Sequence, residues 1–304
     1  MSIPSQWTVL LLGGTGKVSS RIAPLLAANG YTTLMASRSG TMKSFLPNCH
    51  GVKFDWFDQS TWTSLFTSTP NISAIFLVAP PVLDCVPIMK SFIELAITHH
   101  VKRLVLLSAS LMEVGDGPSF GEISGYVARF GVEYTVLRPT WFMENFSEMQ
   151  HLPTISDQDM IVTTTGEGKV PFVSAEDIAE CAFRALTDAK SHDTDHLILG
   201  PELLSYDQIA EIFTKALGRK ITHVKITEDE SIAALKQYGV AADYAQMLAD
   251  LDTAIREGKE KRLNDVVLKV TGHNPKKFEA YLEDCMARGA WNKTSIKESV
   301  GVRV

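Results

Sequence analysis

A short apolar run, Thr8-Val9-Leu10-Leu11-Leu12, breaks off into Gly13-Gly14-Thr15-Gly16-Lys17, and a helix-compatible segment follows over residues 18–29. The chemistry such a turn supports is phosphate binding. Glycine has no β-carbon, so the backbone can come close to a pyrophosphate. The start of the next helix offers free N–H groups and the positive end of its dipole to the same anion. Strand, glycine turn and helix in that order open a dinucleotide-binding fold, with Gly13, Thr15, Gly16 and Lys17 as candidate contacts. The third small position of the fingerprint is Ser19, still small enough for close helix–strand packing.

The second apolar run ends Ala36-Ser37-Arg38-Ser39. A site selecting NAD places an acid there for the ribose hydroxyls. Here Arg38 offers planar donors to a 2′-phosphate, with the hydroxyls of Ser37 and Ser39 on either side. Lys17 adds charge from the glycine turn. The pattern points to NADP(H); the plainer reading of Arg38 is a surface arginine. After the third run, Asp55 either meets the adenine edge or caps a turn. Ala79 and Pro80, which close the fourth run, join the candidate cofactor contacts.

Positioning these groups requires regular elements. Short apolar runs at 32–37, 52–55, 74–78, 103–108 and 133–138 alternate with helix-length segments such as 87–99. That pattern predicts an α/β chain, a Rossmann-like doubly wound parallel sheet covered on both faces. After Pro139 the alternation loosens. Later strands are expected at 160–165, 196–200 and 221–226. A helix enters at Ser174 through an acidic first turn, and another is capped at Ser205 and stopped by Gly218. Residues 228–290 read as mostly helical. The expected division is 1–150, an NADP-binding domain with later strands returning from 160–226, and 151–304, a smaller, mostly helical substrate lobe and a patternless tail. Ligands bind outside the carboxyl ends of such strands, so the pocket is expected there, roofed by the carboxyl-terminal lobe.

Composition narrows the class. The chain has 304 residues, 45% of them hydrophobic, and a net charge of −6. That balance argues against nucleic acid or an anionic membrane as partner. Residues 1–150 carry ten basic and ten acidic side chains, so the whole excess lies in 151–304. This favours a neutral or cationic ligand, or is simply a solvated acidic face. Cys49, Cys85, Cys181 and Cys285 lie far apart, which suggests neither a zinc site nor a disulfide framework. The histidines show no ligand spacing, so no metal is expected. No apolar segment reaches about eighteen residues, and Met1 to Gln6 lacks a basic stretch, so a cytoplasmic protein is expected.

The glycine turn, Phe54-Asp55-Trp56, Leu106-Leu107-Ser108-Ala109-Ser110, the block from Val136 to Phe146, Gly200 to Gln208 and Gly218 to His223 together resemble the NmrA-like atypical short-chain dehydrogenases. More narrowly, they resemble the fungal festuclavine/agroclavine dehydrogenases of ergot alkaloid biosynthesis. The resemblance covers about residues 8–290. It implies NADPH-dependent reduction of a cyclic imine or iminium on a small indole alkaloid. The resemblance also implies a histidine-containing segment after the fifth strand, where this chain has Gly121-Glu122-Ile123-Ser124-Gly125-Tyr126.

Short-chain dehydrogenases pair a tyrosine with a lysine four residues on, which lowers the tyrosine pKa for proton donation. Here Tyr126 is followed by Phe130, so ketone reduction is poorly supported. An iminium needs less, because hydride arrival cancels charge. Glu122 is the candidate counter-anion, or a buried neutral acid for an imine or carbinolamine, or a solvated helix-start carboxylate. Tyr126 is a substrate hydrogen-bond donor or a packing residue. Ser108 and Ser110 end strand five near the expected nicotinamide, Ser110 as a substrate contact or a cap. Pro139 and Thr140 are expected to hold the nicotinamide amide through backbone groups. Trp141, Phe142 and Met143 form an aromatic wall for an indole or a cation, or, for Phe142 above all, core. Two other functions share these features. One is a Pictet–Spengler-type ring closure promoted by Glu122, and the other is a dinucleotide-sensing regulator.

Overall fold

The computed structural model describes residues 7–42, 44–69, 71–237 and 239–292. Met1 to Gln6 and the patternless tail lie outside the described residues. Strands and helices alternate first: β1 Thr8–Leu11, α1 Ser19–Ala28, β2 Thr32–Ser37, β3 Cys49–Lys53, α2 Gln59–Ser68, β4 Ile72–Val78, α3 Val86–Thr98, β5 Arg103–Leu107, α4 Phe120–Arg129 and β6 Glu133–Pro139. Then come α5 His151–Gln158, β7 Met160–Thr163, β8 Lys169–Val170, α6 Ala175–Thr187, β9 Thr194–Ile198, β10 Leu204–Ser205, α7 Tyr206–Leu217 and β11 Thr222–Lys225. The last helices are α8 Glu228–Gln237, α9 Ala242–Arg256, α10 Val266–Thr271 and α11 Phe278–Ala287. No helix among the described residues is long and apolar enough to cross a membrane.

Two compact units result. The first gathers the described residues up to Pro139 with Ala175–Ile198 and Val266–His273. Its seven strands are all parallel, in the order β3-β2-β1-β4-β5-β6-β9. This is the doubly wound α/β sheet expected from the alternating apolar runs. The order reverses between β1 and β4, which opens a crevice at their carboxyl ends. Val9 to Leu12 and Ala74 to Leu77 have no exposure, as strands covered on both faces require. On one face Leu10, Leu34, Ile75 and Leu106 pack with Trp62, Phe92 and Ile123 of the covering helices. β3 begins earlier than expected, at Cys49, because it is the sheet's edge. Its exposed His50 and Gly51 carry no apolar signal.

A buried arginine fastens the start of β5 to β6 and α6. Arg103 is 1% exposed. Its Nε donates to Glu133 at 2.7 Å, and its Nη1 donates to the carbonyls of Ala185, Leu186 and Asp188 at the end of α6. A cation there satisfies carbonyls that the helix leaves unpaired.

The second unit gathers Thr140–Ser174, Leu199–Asp265 and the described residues from Asn274. Of the late strands, β9 joins the large sheet of the first unit. β7 and β11 pair in parallel with each other, and β8 pairs antiparallel with β10. α7 starts with a full capping box, Ser205 and Gln208, and ends at left-handed Gly218 (φ 65°). The core of this unit centres on Phe146, whose ring meets Phe172, Phe213 and Phe278 edge-on or tilted at 5.3–5.8 Å. His151 stacks on the same ring at 5.0 Å. Burial, and then the nearby His223, pushes the His151 pKa down to about 3.

A neutral imidazole in an apolar core makes stability depend on pH in one direction. The folded pKa lies below the ordinary value near 6.5, so only the unfolded chain takes up the proton as pH falls through that range. Stability is therefore complete above about 6.5 and declines by about 1.4 kcal/mol per pH unit toward 3 on account of His151. Urea denaturation of wild type and His151→Phe at pH 7 and pH 5 checks this. The variant is expected to gain about 2 kcal/mol relative to wild type over that interval. An unchanged difference would refute the assignment.

Candidate functional site

The glycine turn sits at the strand-order reversal of the first unit, where its backbone has little freedom. Gly14 N–H donates to Ala36 O at 2.8 Å. A β-carbon on Gly14 would lie 2.8 Å from Met35 C and 2.9 Å from Ala36 N, inside the β2 backbone. Gly13 takes φ +59°, and its side-chain direction faces Val78 at 3.6 Å across the β1–β4 crevice. Gly16 N–H closes the turn on Gly13 O at 2.7 Å. Ser19 is more than small: its buried hydroxyl donates to Leu12 O at 2.8 Å and holds the start of α1 to the end of β1. α1 has no acidic residue in its first turn and no side-chain cap. Gly13, Thr15 and Gly16 are exposed and Lys17 is half-exposed. The turn and the amides beginning α1 fit a pyrophosphate, because a side chain at Gly14 would fill the space that lets the turn lie flat.

At the end of β2 the hydroxyls form a chain. Ser37 Oγ meets Ser39 Oγ at 3.3 Å, and Ser39 Oγ meets Thr41 Oγ1 at 2.7 Å. Arg38 is exposed, and no hydrogen bond or ion pair with another described residue engages it. Asp55 is engaged: its Oδ1 accepts from Phe57 N–H at 2.9 Å, and its carbonyl accepts from Trp62 Nε1 at 2.8 Å. That is the turn-capping geometry. The residue that ties this turn to the crevice is Trp56, whose Nε1 donates to Val78 O at 3.1 Å, next to Ala79 and Pro80.

The carboxyl ends of β5 and β6 hold the candidates for reaction chemistry. Ser108 is 8% exposed, and its Oγ has no hydrogen-bond partner among the described residues. Its N–H donates to Leu137 O at 2.7 Å, and Ser110 N–H donates to Pro139 O at 2.9 Å. The Pro139 carbonyl is thus already engaged. Sequence reasoning assigned no role to Arg138, which organises this edge. It is buried, donates to Asp195 at 2.8 Å and Ser110 O at 3.0 Å, and pairs with Glu113. Burial pulls its pKa down, but the bonds to Glu113 and Asp195 outweigh that and hold it above the ordinary value. The available signal was a charge inside the apolar run Val136-Leu137-Arg138-Pro139.

Glu122 and Tyr126 both stand on α4. Both side chains on α4 are engaged by α3. Glu122 is about half exposed and pairs with Lys90 at 2.7 Å. Tyr126 donates to Glu94 at 2.8 Å, and burial together with Glu94 pushes its pKa up to about 12. A proton-donating tyrosine needs the opposite shift, and a neutral acid needs burial that Glu122 lacks. The α4 glycines before Glu122 and before Tyr126 instead serve packing. A β-carbon at Gly121 would lie 1.6 Å from Asp116 O, and one at Gly125 would lie 2.6 Å from Gly115 Cα.

In the second unit, Thr140 is buried, and its Oγ1 has no partner among the described residues. Val173 N–H donates to Trp141 O at 3.0 Å, and Met143 N–H donates to Val173 O at 2.9 Å. Phe142, half-buried, bridges to Val173. Met143 has no exposure and belongs to the Phe146 core, so it packs rather than lines a wall, and Trp141 packs against the same core. No group of three potential metal ligands occurs among the described residues.

Known proteins resemble this chain in sequence and in fold. The NmrA-like family matches over residues 5–282. The chain is 43% identical over 287 residues to agroclavine dehydrogenase of Claviceps fusiformis, covering 91% of this chain and 96% of that one. It is 43% identical over 283 residues to festuclavine synthase I of Penicillium roqueforti, covering 91% and 97%. Among solved structures, Citrobacter sp. triphenylmethane reductase in complex with NADP(H) matches with a TM-score of 0.74 at 17% identity, over 92% of this chain and 100% of that one. This last likeness is one of fold.

The two glycines differ in what a side chain would cost. Gly14→Ala forces a β-carbon into the β2 backbone and is expected to destabilise by about 2–3 kcal/mol. Gly13→Ala meets only ordinary van der Waals contact with the Val78 side chain and is disfavoured only by its left-handed backbone, by about 1 kcal/mol. Urea unfolding of both variants checks the order, and equal losses would contradict it.

Proposed function

The chain belongs to the NmrA-like family, and from that premise we propose that it is an NADPH-dependent reductase of a cyclic imine or iminium on an indole alkaloid. The observation that carries the reading is the arrangement at the carboxyl edge of the first unit. A phosphate-fitting turn after β1, an unengaged Arg38 after β2 and a buried, unpartnered Ser108 hydroxyl after β5 all lie at the carboxyl ends of one parallel sheet, while Tyr126 is held by Glu94 rather than poised to give a proton. The names borne by the Claviceps and Penicillium relatives support the alkaloid class. The NADP(H) complex of the Citrobacter enzyme supports the phosphorylated cofactor.

The bound nicotinamide would supply a hydride. The chain's own residues hold and orient. The glycine turn and the start of α1 carry the pyrophosphate, and Arg38 with Ser37 carries the 2′-phosphate. Ser108 Oγ, lacking a protein partner, donates a hydrogen bond that fixes the reacting groups at the end of β5. When hydride reaches an iminium carbon, the C=N π pair settles on nitrogen as a lone pair and the positive charge disappears. No proton enters that step, so a tyrosine held by Glu94 is no handicap. A neutral imine would have to arrive protonated, because Glu122 is solvated and paired with Lys90. The same pairing weighs against Glu122 as promoter of ring closure.

Loss of NADPH absorbance with a cyclic iminium of the indole class, and none with the matching ketone, is the expected result. Cyclised product from amine and aldehyde without NADPH would mark a ring-closing enzyme instead. Tight NADP binding with no turnover of any imine would mark a sensor. Ser108→Ala is expected to lower kcat/KM about tenfold, the worth of one hydrogen bond. A thousandfold loss would make Ser108 a proton donor and overturn the charge-cancelling step.

A further inference from the structure

The turn after β2 does not project freely; it folds back onto the end of β3. Ser37 O accepts from both Gly40 N–H at 3.1 Å and Phe54 N–H at 2.9 Å. Ser37 is also the register partner of Lys53, the last residue of β3. Paired residues on neighbouring parallel strands project to the same face of the sheet. The contact is close. The β-carbon position of Gly40 (φ +69°) lies 3.1 Å from Lys53 N and 3.4 Å from Lys53 Cβ. A β-carbon on Gly51 would lie only 2.4 Å from Gly40 O, so β3 can take the turn only because it has glycine there. The Lys53 stem therefore starts beside the Ser37–Ser39–Thr41 hydroxyl chain.

The charges around it point the same way. Lys53 and Arg38 are both exposed, and neither is engaged in a hydrogen bond or ion pair among the described residues. The two acids that follow β3 are spent on turns. Asp55 Oδ1 accepts from Phe57 N–H, and Asp58 Oδ1 accepts from Ser60 N–H and Oγ at 3.1 and 2.6 Å. Lys53 reaches Asp58 only as a field that lowers its pKa, the last of its causes after the Ser60 bonds and burial. One cation and three hydroxyls at the turn, a second cation beside it on β3, and the carboxylates that follow occupied suit a phosphate monoester.

We propose that Lys53 is the second cation of the 2′-phosphate subsite and that, with Arg38, it sets the preference for the phosphorylated dinucleotide. The proposal rests on the NADPH reading above. Arg38 supplies the planar fork at the end of β2. Lys53 supplies a point charge from the adjacent strand, held at the turn by the Ser37–Phe54 hydrogen bond.

Isothermal titration of wild type, Lys53→Ala, Lys53→Arg and Arg38→Ala/Lys53→Ala with NADPH, NADH and adenosine 2′-monophosphate tests it. Lys53→Ala is expected to weaken NADPH and adenosine 2′-monophosphate about tenfold and leave NADH unchanged, a size typical of one charge-assisted contact. Lys53→Arg is expected to restore most of the loss, and the double variant to bind NADPH no better than NADH. Unchanged NADPH affinity in Lys53→Ala, or equal losses for NADPH and NADH, would overturn the role of Lys53 while leaving the reductase reading standing. Wild type that binds neither dinucleotide would overturn both.

Discussion

Gly14 is the point on which the first unit turns. Its α-carbon lies so near the β2 backbone that a single added carbon would sit 2.8 Å from Met35 C. That approach lets the chain leave β1, cross the end of β2 and enter α1 within a few residues. The helix then begins at the β1–β4 crevice, where the strand order reverses. Ser19 finishes the joint by donating to Leu12 O. Loosening this contact would leave α1 without its fixed starting direction, and the phosphate-fitting amides would have no common focus.

Two buried arginines hold the far half of the sheet. Arg103 satisfies the carbonyl end of α6, and Arg138 clamps the segment after β5 to β9 through Ser110, Glu113 and Asp195. Buried cations of this kind add little net stability, since desolvation offsets most of the attraction, but they allow few alternative arrangements. Arg138 therefore acts on geometry. It fixes the edge at which the buried Ser108 and Thr140 hydroxyls are left without a partner among the described residues. A polar group left so in a buried place marks where a ligand's acceptor or donor would complete the structure.

The strands of the first unit were legible because they are buried on both faces and read as unbroken apolar runs. The edge strand β3 was legible only in part, since Cys49, His50 and Gly51 have one solvated side. The site divided along the same line. Gly13, Gly16 and Arg38 could be placed from sequence because strand-end position alone determines where they stand. Glu122 and Tyr126 could not, because a residue on a helix surface faces whichever neighbour the fold supplies. Here that neighbour is α3, with Lys90 and Glu94 waiting. Met143 looked like a wall residue in sequence and is core, since its burial depends on Phe146 and Val173, distant or unmarked in the local pattern.

The amino-acid order by itself determined the alternating parallel sheet, the glycine turn and the absence of an acid after β2, all properties of residues close together in the chain. Only the tertiary structure decided that Lys53 lies against the Arg38 turn, that Arg138 locks three segments at one edge, and that β7 pairs with β11 while β9 joins the large sheet. Those pairings join residues far apart in sequence. Their partners are chosen by which surfaces exclude water together, and no local spacing encodes that choice.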